Sequence, residues 1–266
     1  MKPGSTVYEF DRAIVREPAR SVVHGLRALD RGEPDVDKLR AEHTAYVCAL
    51  EAAGVSVTVL ATEESFPDSV FVEDPALVFS NGAIELRPGA ATRLGEAALL
   101  RPTLEMHFDQ VLSLAPTSCA EGGDVLVTPD AVLIGLSDRT SAAGAQSVIE
   151  CLSHLGLRGR VVQTPPGVLH FKTDCSLLDA QTVLATARLA ASSAFDGFEI
   201  VLTPEGEEAA ANALRVNDVV FVGSHFERTI EVLDRRGYQV VALDTSEIGK
   251  VDAGLSCMSL RWKSQR

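Results

Sequence analysis

A pattern that recurs five times along the chain constrains its fold most strongly. In each copy a polar or acidic turn runs into a short apolar strand, as in "EGGDVLVT" (121–128) and "HFKTDCSLL" (170–178). The other copies are "FVEDPALVF" (71–79), "NALRVNDVVFV" (212–222) and "AGLSCMSLRW" (253–262). Successive copies lie about 40 to 50 residues apart. A mixed repeat of this length predicts similar units that close around a central axis and bring their turns to one place.

Strand and helix patterns alternate between these copies, which indicates an α/β fold. Helices are predicted at 35–53, near 92–107 with a break or kink at Pro102, at 140–156 and at 225–236. Strands are predicted at 55–61, 131–136, 182–189, 198–204, 218–223 and 238–244. No long linker or low-complexity segment interrupts the series, so we expect one domain over residues 1–266.

Composition excludes several classes of protein. The net charge of −13 and the pI of about 4.9 disfavour nucleic acid as a partner, although such a surface would suit a cationic substrate. We find no secretory h-region and no apolar run long enough to span a membrane, so no membrane contact is expected. The five cysteines are scattered without a C-x-x-C pair, which argues against a disulfide framework or a structural zinc site. The expected location is the reducing cytoplasm.

Cys257 lies in the last copy of the pattern, where the predicted units converge. A cysteine nucleophile needs a thiolate, a proton donor or acceptor within reach, and a group that orients that donor. His170 is the one histidine of six that falls within a copy of the pattern, and Glu121 begins another copy. These three residues are therefore candidates for a catalytic group.

Glu73 and Asp74 form an adjacent acidic pair in an apolar context. Neighbouring residues on a strand point to opposite faces, so both can line one pocket only if the chain turns, which Pro75 makes plausible. Several carboxylates in a closed site imply a cationic ligand, because unpaired buried charges are costly.

Other site chemistries lack support in the sequence. There is no G-x-x-x-x-G-K-[ST], no G-x-G-x-x-G after a strand and no H-E-x-x-H. A Cys-His-Asp metal site stays open as an alternative, but no ligand spacing indicates one. We therefore predict neither a cofactor nor a bound metal.

Five motifs together resemble the dimethylarginine dimethylaminohydrolase family of the guanidino-modifying superfamily. They are "FVEDPALV", "EGGDVLV", "GLSDRT", "LHFKTDCS" and "VDAGLSCMSL", and the resemblance runs from about residue 22 to residue 262. It implies a five-bladed α/β propeller, the pentein fold, built from ββαβ units with pseudo-fivefold symmetry, which agrees with the repeat.

The resemblance also implies a role for individual residues. Cys257 matches the nucleophile, His170 the general acid and base, and Glu121 the acid that orients the histidine. The matching substrate contacts are Leu26 in a lid, Asp68 at the substrate amino group, Glu73 and Asp74 around the guanidinium, Arg93 and Arg139 at the substrate carboxylate, and Val251. The implied reaction hydrolyses N-omega-methylated arginine to citrulline and dimethylamine or methylamine through a covalent thiouronium on cysteine, without a cofactor. The family is compatible with a homodimer.

Three alternatives remain beside this interpretation. Arginine deiminases share "EGGD", but they carry an acid at the position of Lys172, an arginine at the position of Ser256 and an inserted helical domain. A ribosome anti-association factor has the same fold but needs no thiol, histidine or paired acids, and a silent guanidine-binding relative would retain the motifs. One departure from the family is Ala253, where many relatives have glycine; we expect this change to affect only the turn before Cys257.

Overall fold

The computed structural model describes residues 7–265, and within them five three-stranded sheets repeat one arrangement. In each sheet the central strand pairs antiparallel with one neighbour and parallel with the other. The strands are β1 (Arg12–Arg16), β2 (Ser56–Leu60), β3 (Ala76–Phe79), β4 (Gly82–Glu85), β5 (Val111–Ser113), β6 (Val125–Val127), β7 (Val132–Leu136), β8 (Gly159–Gln163), β9 (Cys175–Leu177), β10 (Thr182–Ala185), β11 (Glu199–Leu202), β12 (Leu214–Val216), β13 (Val219–Gly223), β14 (Gln239–Leu243) and β15 (Leu260–Trp262). The helices are α1 (Val36–Ala52), α2 (Glu96–His107), α3 (Ala142–His154), α4 (Ala187–Ala190) and α5 (Glu227–Arg235). Each parallel pair is bridged by one of these helices, because two parallel strands can be joined only by a crossover connection.

Closure of the ring comes from the two ends of the described chain. The last strand, β15, pairs antiparallel with β1, with Arg12 opposite Trp262 and Ile14 opposite Leu260. The first unit is thus completed by the last strand, and the five units form the predicted ββαβ propeller.

Local sequence signals explain most of the element boundaries. Asp35 caps α1 by accepting hydrogen bonds from the backbone N–H groups of Asp37 and Lys38. The helix α2 continues through Pro102 rather than ending there. The predicted strand 182–189 was wrong in its second half, because Thr186 accepts a hydrogen bond from the Leu189 N–H and starts α4.

Acidic side chains of the recurring pattern link one unit to the next near the axis. Asp74 Oδ1 accepts a hydrogen bond of 3.1 Å from the Gly123 N–H, and Asp124 Oδ1 accepts one of 2.8 Å from the Phe171 N–H. Asp174 instead bonds within its own unit, to Thr186 and Arg188. The turns therefore meet at the centre, as the repeat predicted.

Among residues 7–265, no helix combines the length and the apolar character that a membrane crossing demands.

Candidate active site

A cavity of about 150 Å³, here called the central cavity, opens where the turns of the units converge. Nine of the ten predicted site residues line it: Leu26, Asp68, Asp74, Arg93, Glu121, Arg139, His170, Val251 and Cys257. Glu73 is the predicted residue that the cavity wall does not include. Residues separated by more than 200 positions in the chain thus face one small space.

The pair of His170 and Glu121 is held rigidly. His170 Nε2 lies 2.6 Å from Glu121 Oε2, while Glu121 Oε1 accepts a hydrogen bond of 2.9 Å from the Gly89 N–H. The second glycine of "EGGD" is needed for this packing, because a Cβ at Gly123 would lie 2.7 Å from the imidazole Cγ. A Cβ at Gly122 would lie 2.0 Å from the Glu73 carbonyl oxygen. The motif therefore owes its glycines to the close approach of two turns.

The protonated form of His170 is favoured in this surrounding. Burial alone would lower its pKa, but the charge of Asp74 and the hydrogen bond that His170 donates to Glu121 outweigh burial and raise the pKa to about 9. Since Nε2 faces Glu121, the other ring nitrogen, Nδ1, is the one from which a proton can be exchanged with a ligand.

Cys257 is half-buried and reaches the cavity from a turn that precedes β15. Burial, followed by the charges of Asp74 and Glu73, raises the pKa of its thiol to about 11. Asp252, with φ of 55°, is the left-handed residue of this turn, whereas Ala253 is not among the residues with positive φ in the described chain. The absence of a glycine at 253 therefore leaves the turn unstrained.

Arg93 is the buried counter-ion of the cavity acids. Its guanidinium lies 2.5 Å from Asp74 Oδ2 and 2.7 Å from Glu96 Oε2, and it also donates to the carbonyl oxygens of Asp68 and Phe71. Burial would raise the pKa of Asp74, but Arg93 and then His170 hold it below its ordinary value. Most N–H groups of Arg93 are thus engaged within the protein.

Arg139 makes fewer contacts within the protein than Arg93, the other predicted arginine of the site. Its Nη1 lies 3.9 Å from Glu121 Oε1, and 22 % of its side chain is exposed. Asp68 is buried, which raises its pKa despite the opposing charge of Arg93, and its Oδ1 accepts a hydrogen bond of 2.9 Å from the Leu26 N–H. Asp68 therefore ties the segment of Leu26 to the cavity wall.

Glu73 differs from its sequence-based assignment as a contact of the guanidinium. Its Oε1 lies 2.7 Å from Lys172 Nζ and 2.9 Å from Arg261 Nη2, and its N–H donates to the Cys257 carbonyl oxygen at 3.2 Å. The chain turns at residues 72–75, yet the two acids still point apart. Glu73 thus stands beside Cys257 in an ion-pair network, and only Asp74 faces the cavity.

Two neighbours of Cys257 were not singled out from the sequence. The Asp252 carboxylate accepts a hydrogen bond from the Ala28 N–H and lies 3.5 Å from Arg31 Nη1, so it fastens the segment around Leu26. Asn212 Nδ2 lies 3.9 Å from Cys257 Sγ. Asn212 falls within the fourth copy of the pattern, and that position was the available signal.

Three donor groups in the cavity are close enough to share a metal ion. One ligand atom each from Asp74, Glu121 and His170 lie within 4.8 Å of one another. The imidazole is bonded to Glu121, and Asp74 is paired with Arg93, so a metal ion would compete with both contacts. The same arrangement places a carboxylate beside a proton-transfer pair, which suits an organic cation that undergoes proton transfer.

Comparison with known proteins agrees with this geometry. A family model described as N,N dimethylarginine dimethylhydrolase, eukaryotic, matches residues 31–175, which is more than half of the chain. The chain is 41% identical to the N(G),N(G)-dimethylarginine dimethylaminohydrolase of Pseudomonas aeruginosa over 254 residues, covering 95% of this chain and 100% of the relative. It is 32% identical to the enzyme of the same name from Streptomyces coelicolor, covering 94% and 96% of the two chains.

Solved structures give the same result. A crystal structure of the Pseudomonas aeruginosa protein, a cysteine-to-serine mutant complexed with citrulline, superposes with a TM-score of 0.92 at 41% identity. The match covers 96% of this chain and 100% of that chain. With the matching family model, the whole-length relatives and the shared five-unit fold, this chain belongs to the dimethylarginine dimethylaminohydrolase family.

Proposed function

We propose that this protein hydrolyses N-omega-methylated arginine to citrulline and dimethylamine or methylamine, with Cys257 as the nucleophile. One observation carries the proposal. Cys257, the hydrogen-bonded pair of His170 and Glu121, and the carboxylate of Asp74 all line one cavity of about 150 Å³. The crystal structure of the Pseudomonas relative with citrulline supports the same product for this chain.

The guanidinium of the substrate binds against Asp74. It thus brings a positive charge close to the sulfur of Cys257, which stabilises a thiolate and is not available in the unliganded site. In the unliganded site the thiol has a pKa of about 11 and is protonated at neutral pH. A bound cation opposes the charges of Asp74 and Glu73, which lowers the thiol pKa and releases its proton. The nucleophile is thus ionised mainly when substrate is present.

Two proton transfers through His170 then complete the reaction. The Cys257 thiolate attacks the guanidinium carbon, and the imidazolium gives its proton to the departing methylamine, leaving a covalent thiouronium. Neutral His170 next takes one proton from water, whose oxygen adds to the same carbon and expels the thiolate. The second proton of that water is lost as citrulline forms and restores the resting thiol of Cys257, while the proton that the thiol released on substrate binding is taken up in solvent by the free amine. Glu121 holds the ring in place and stabilises its cationic form in both steps.

The amino-acid end of the substrate is read by the remaining cavity residues. Arg139 is suited to pair with the substrate carboxylate, because its guanidinium is partly exposed and makes only a 3.9 Å contact with Glu121. Arg93 can add one further N–H while it holds Asp74. The Asp68 carboxylate accepts a hydrogen bond from the substrate ammonium group, and Leu26 and Val251 pack against the aliphatic part of the substrate side chain.

The proposal is tested by offering asymmetric dimethylarginine, monomethylarginine and arginine separately, with a colorimetric ureido assay and identification of the amine. We expect citrulline with dimethylamine or methylamine from the first two, and little or no ammonia from arginine. Rapid release of ammonia from arginine with dimethylarginine inert would identify a deiminase instead.

A further inference from the structure

The side chain of Asn212, which is polar but uncharged, contacts the sulfur of Cys257. Asn212 belongs to the unit of β12, β13 and β14, which supplies no acid or base to the central cavity. Asn212 lies between a short 3-10 helix at Glu208–Ala211 and β12. Its Nδ2 is 3.9 Å from Cys257 Sγ, and its Oδ1 accepts a hydrogen bond of 3.1 Å from the Ser256 N–H.

The orientation of the Asn212 amide is fixed by chemistry. A backbone N–H can only donate, so the amide oxygen must face Ser256 and the NH₂ group must face the sulfur. The turn packs directly on this amide, since a Cβ at Gly254 would lie 2.4 Å from Asn212 Cγ and 2.6 Å from its Oδ1. The Cys257 N–H in turn donates to the Gly254 carbonyl oxygen at 3.3 Å. Amide and turn therefore form one rigid unit around the nucleophile.

Few other groups near Cys257 can donate a hydrogen bond to its sulfur or stabilise its thiolate by positive charge. The charged groups that act on Cys257 directly are Asp74, Glu73 and Lys172. The other charged or titratable groups that line its two cavities are Arg27, Arg31, Asp68, Arg93, Glu121, Arg139, His170, Arg188, His225, Lys250 and Asp252. The acids among them disfavour a thiolate, and the ammonium of Lys172 is held by Glu73 at 2.7 Å. The amide of Asn212 is uncharged and, unlike Lys172, is not paired with an acid that would repel the thiolate. Its hydrogen bond therefore favours the thiolate form of Cys257.

Asn212 also approaches the sulfur from outside the central cavity. It lines a second cavity of about 520 Å³, which reaches Cys257 and His170 but does not include Asp68, Arg93 or Arg139. A change at Asn212 therefore leaves the predicted contacts to the substrate carboxylate and amino group intact.

Resting on the proposed function of Cys257, we infer that Asn212 is a positioning residue that fixes the nucleophile and donates a hydrogen bond to its thiolate. The contact at 3.9 Å belongs to the neutral thiol, and it shortens when the sulfur carries the charge that the N–H attracts. Asn212 thus acts in the steps where the thiolate attacks and where it is expelled.

The most informative variant is Asn212→Asp. It keeps the shape and the acceptor for the Ser256 N–H, but it replaces the donor with a charge facing the sulfur. Asn212→Ala removes the donor without adding a charge. Asn81→Asp serves as the matched control, because Asn81 is exposed and bonds to the Leu155 carbonyl oxygen outside the site.

Two measurements are made on each variant. The pH dependence of Cys257 alkylation by iodoacetamide, followed by peptide mapping without substrate, should shift to higher pH in Asn212→Ala and further in Asn212→Asp. Steady-state kinetics with dimethylarginine should show kcat lowered about 10- to 100-fold, the scale of a hydrogen bond to a charged group. KM should change less than about threefold, because substrate contacts are retained.

The alkylation measurement does not require turnover, so it separates this inference from the proposed function. An inactive wild type whose Cys257 alkylation still shifts in the variants would refute the function but not the role of Asn212. Unshifted alkylation profiles in both variants, with or without a loss of kcat, would overturn the inference. Asn81→Asp should match the wild type in both measurements.

Discussion

Two cysteines, Cys257 and Cys175, occupy copies of the same recurring pattern and yet have different surroundings. Cys175 opens β9, is 1 % exposed, and its Sγ donates to the Phe171 carbonyl oxygen at 3.3 Å. Cys257 is half-buried and lines the central cavity beside His170 and Asp74. One thiol is packed in the core, and the other is open to a ligand.

The pKa alone does not distinguish these two thiols. Burial raises the pKa of Cys175 well above its ordinary value, and burial also leads the causes that raise the pKa of Cys257. The two thiols differ in their access to a ligand, because Cys257 lines the central cavity and Cys175 does not. Only Cys257 shares a cavity with the proton-transfer pair and with a carboxylate that can bind a cation. In the proposed mechanism, the reactivity of Cys257 therefore comes from its ligand and its neighbours rather than from its resting ionisation.

The largest expected effect comes from removing the reactive thiol. Cys257→Ser should fold like the wild type but lose more than about 10⁴-fold in kcat, the order seen when an enzyme's nucleophile is removed. A hydroxyl is far less ionised than a thiol, so the bound cation cannot rescue it. Citrulline formation from dimethylarginine checks this, and near-normal turnover in Cys257→Ala would contradict it.

The next effect concerns the proton-transfer partner that Cys175 lacks. His170→Ala should lower multiple-turnover activity by about 10²–10⁴-fold, as expected for a general acid and base. His225→Ala is the control, since His225 is exposed and lies outside the central cavity. Comparable losses in the two variants would contradict the assignment of His170.

Recognition of the substrate carboxylate should have a smaller effect. Arg139→Ala should lower kcat/KM for methylarginine about 10- to 100-fold, because a hydrogen bond to a charged group contributes about 1.5–3 kcal/mol. Activity on methylated agmatine, which lacks the carboxylate, should be low in the wild type and nearly unchanged in the variant. Equal processing of both substrates by the wild type would place Arg139 outside substrate recognition.

The pH dependence of kcat/KM tests how the ionisation of Cys257 and His170 controls the reaction. The reactive form needs a Cys257 thiolate and a His170 imidazolium, whose pKa values in the free site are about 11 and about 9. Thiolate increases with pH while imidazolium is lost above its pKa, so kcat/KM should rise about tenfold per pH unit from 7 to 9 and then level off. The kcat, measured with bound cation, should rise less. A flat kcat/KM over this range would contradict the raised thiol pKa.

The smallest functional effect is expected at the other cysteine. Cys175→Ala removes a buried sulfur from a packed cluster, which should cost about 1–2 kcal/mol of unfolding free energy. Its kinetics with dimethylarginine should equal those of the wild type, as denaturant titration and the ureido assay can show together. A loss of kcat without a loss of stability would mean that Cys175 takes part in the reaction.

The sequence was sufficient to predict the arrangement of the units and most of the cavity wall. The five copies of one pattern indicated where the turns meet, and nine of the ten residues that the motif matches singled out line the central cavity. The alternation of helix and strand failed at residues 187–190, because the cap formed by Thr186 was stronger than the apolar pattern.

Pairing among charged residues was harder to predict because it depends on long-range contacts. Glu73 was expected beside the guanidinium, but its Oε1 is paired with Lys172 and Arg261, which are far away in sequence, and Glu73 does not line the central cavity. Arg93 was predicted to contact the substrate carboxylate, and the sequence did not show that Asp74, Glu96 and two carbonyl oxygens already occupy most of its donors. Asn212 went unrecognised although it lies in the fourth copy of the pattern, because its position there does not indicate that it contacts Cys257, 45 residues away in the chain.

The central claim is that Cys257, and not Cys175, carries the substrate carbon during turnover. Wild-type protein quenched during turnover of dimethylarginine, digested and examined by peptide mass spectrometry tests it most directly. The account predicts a thiouronium adduct on the peptide that contains Cys257 and an unmodified peptide for Cys175. An adduct on any other residue, or accumulation of citrulline in a single turnover with Cys257 blocked beforehand by iodoacetamide, would contradict it.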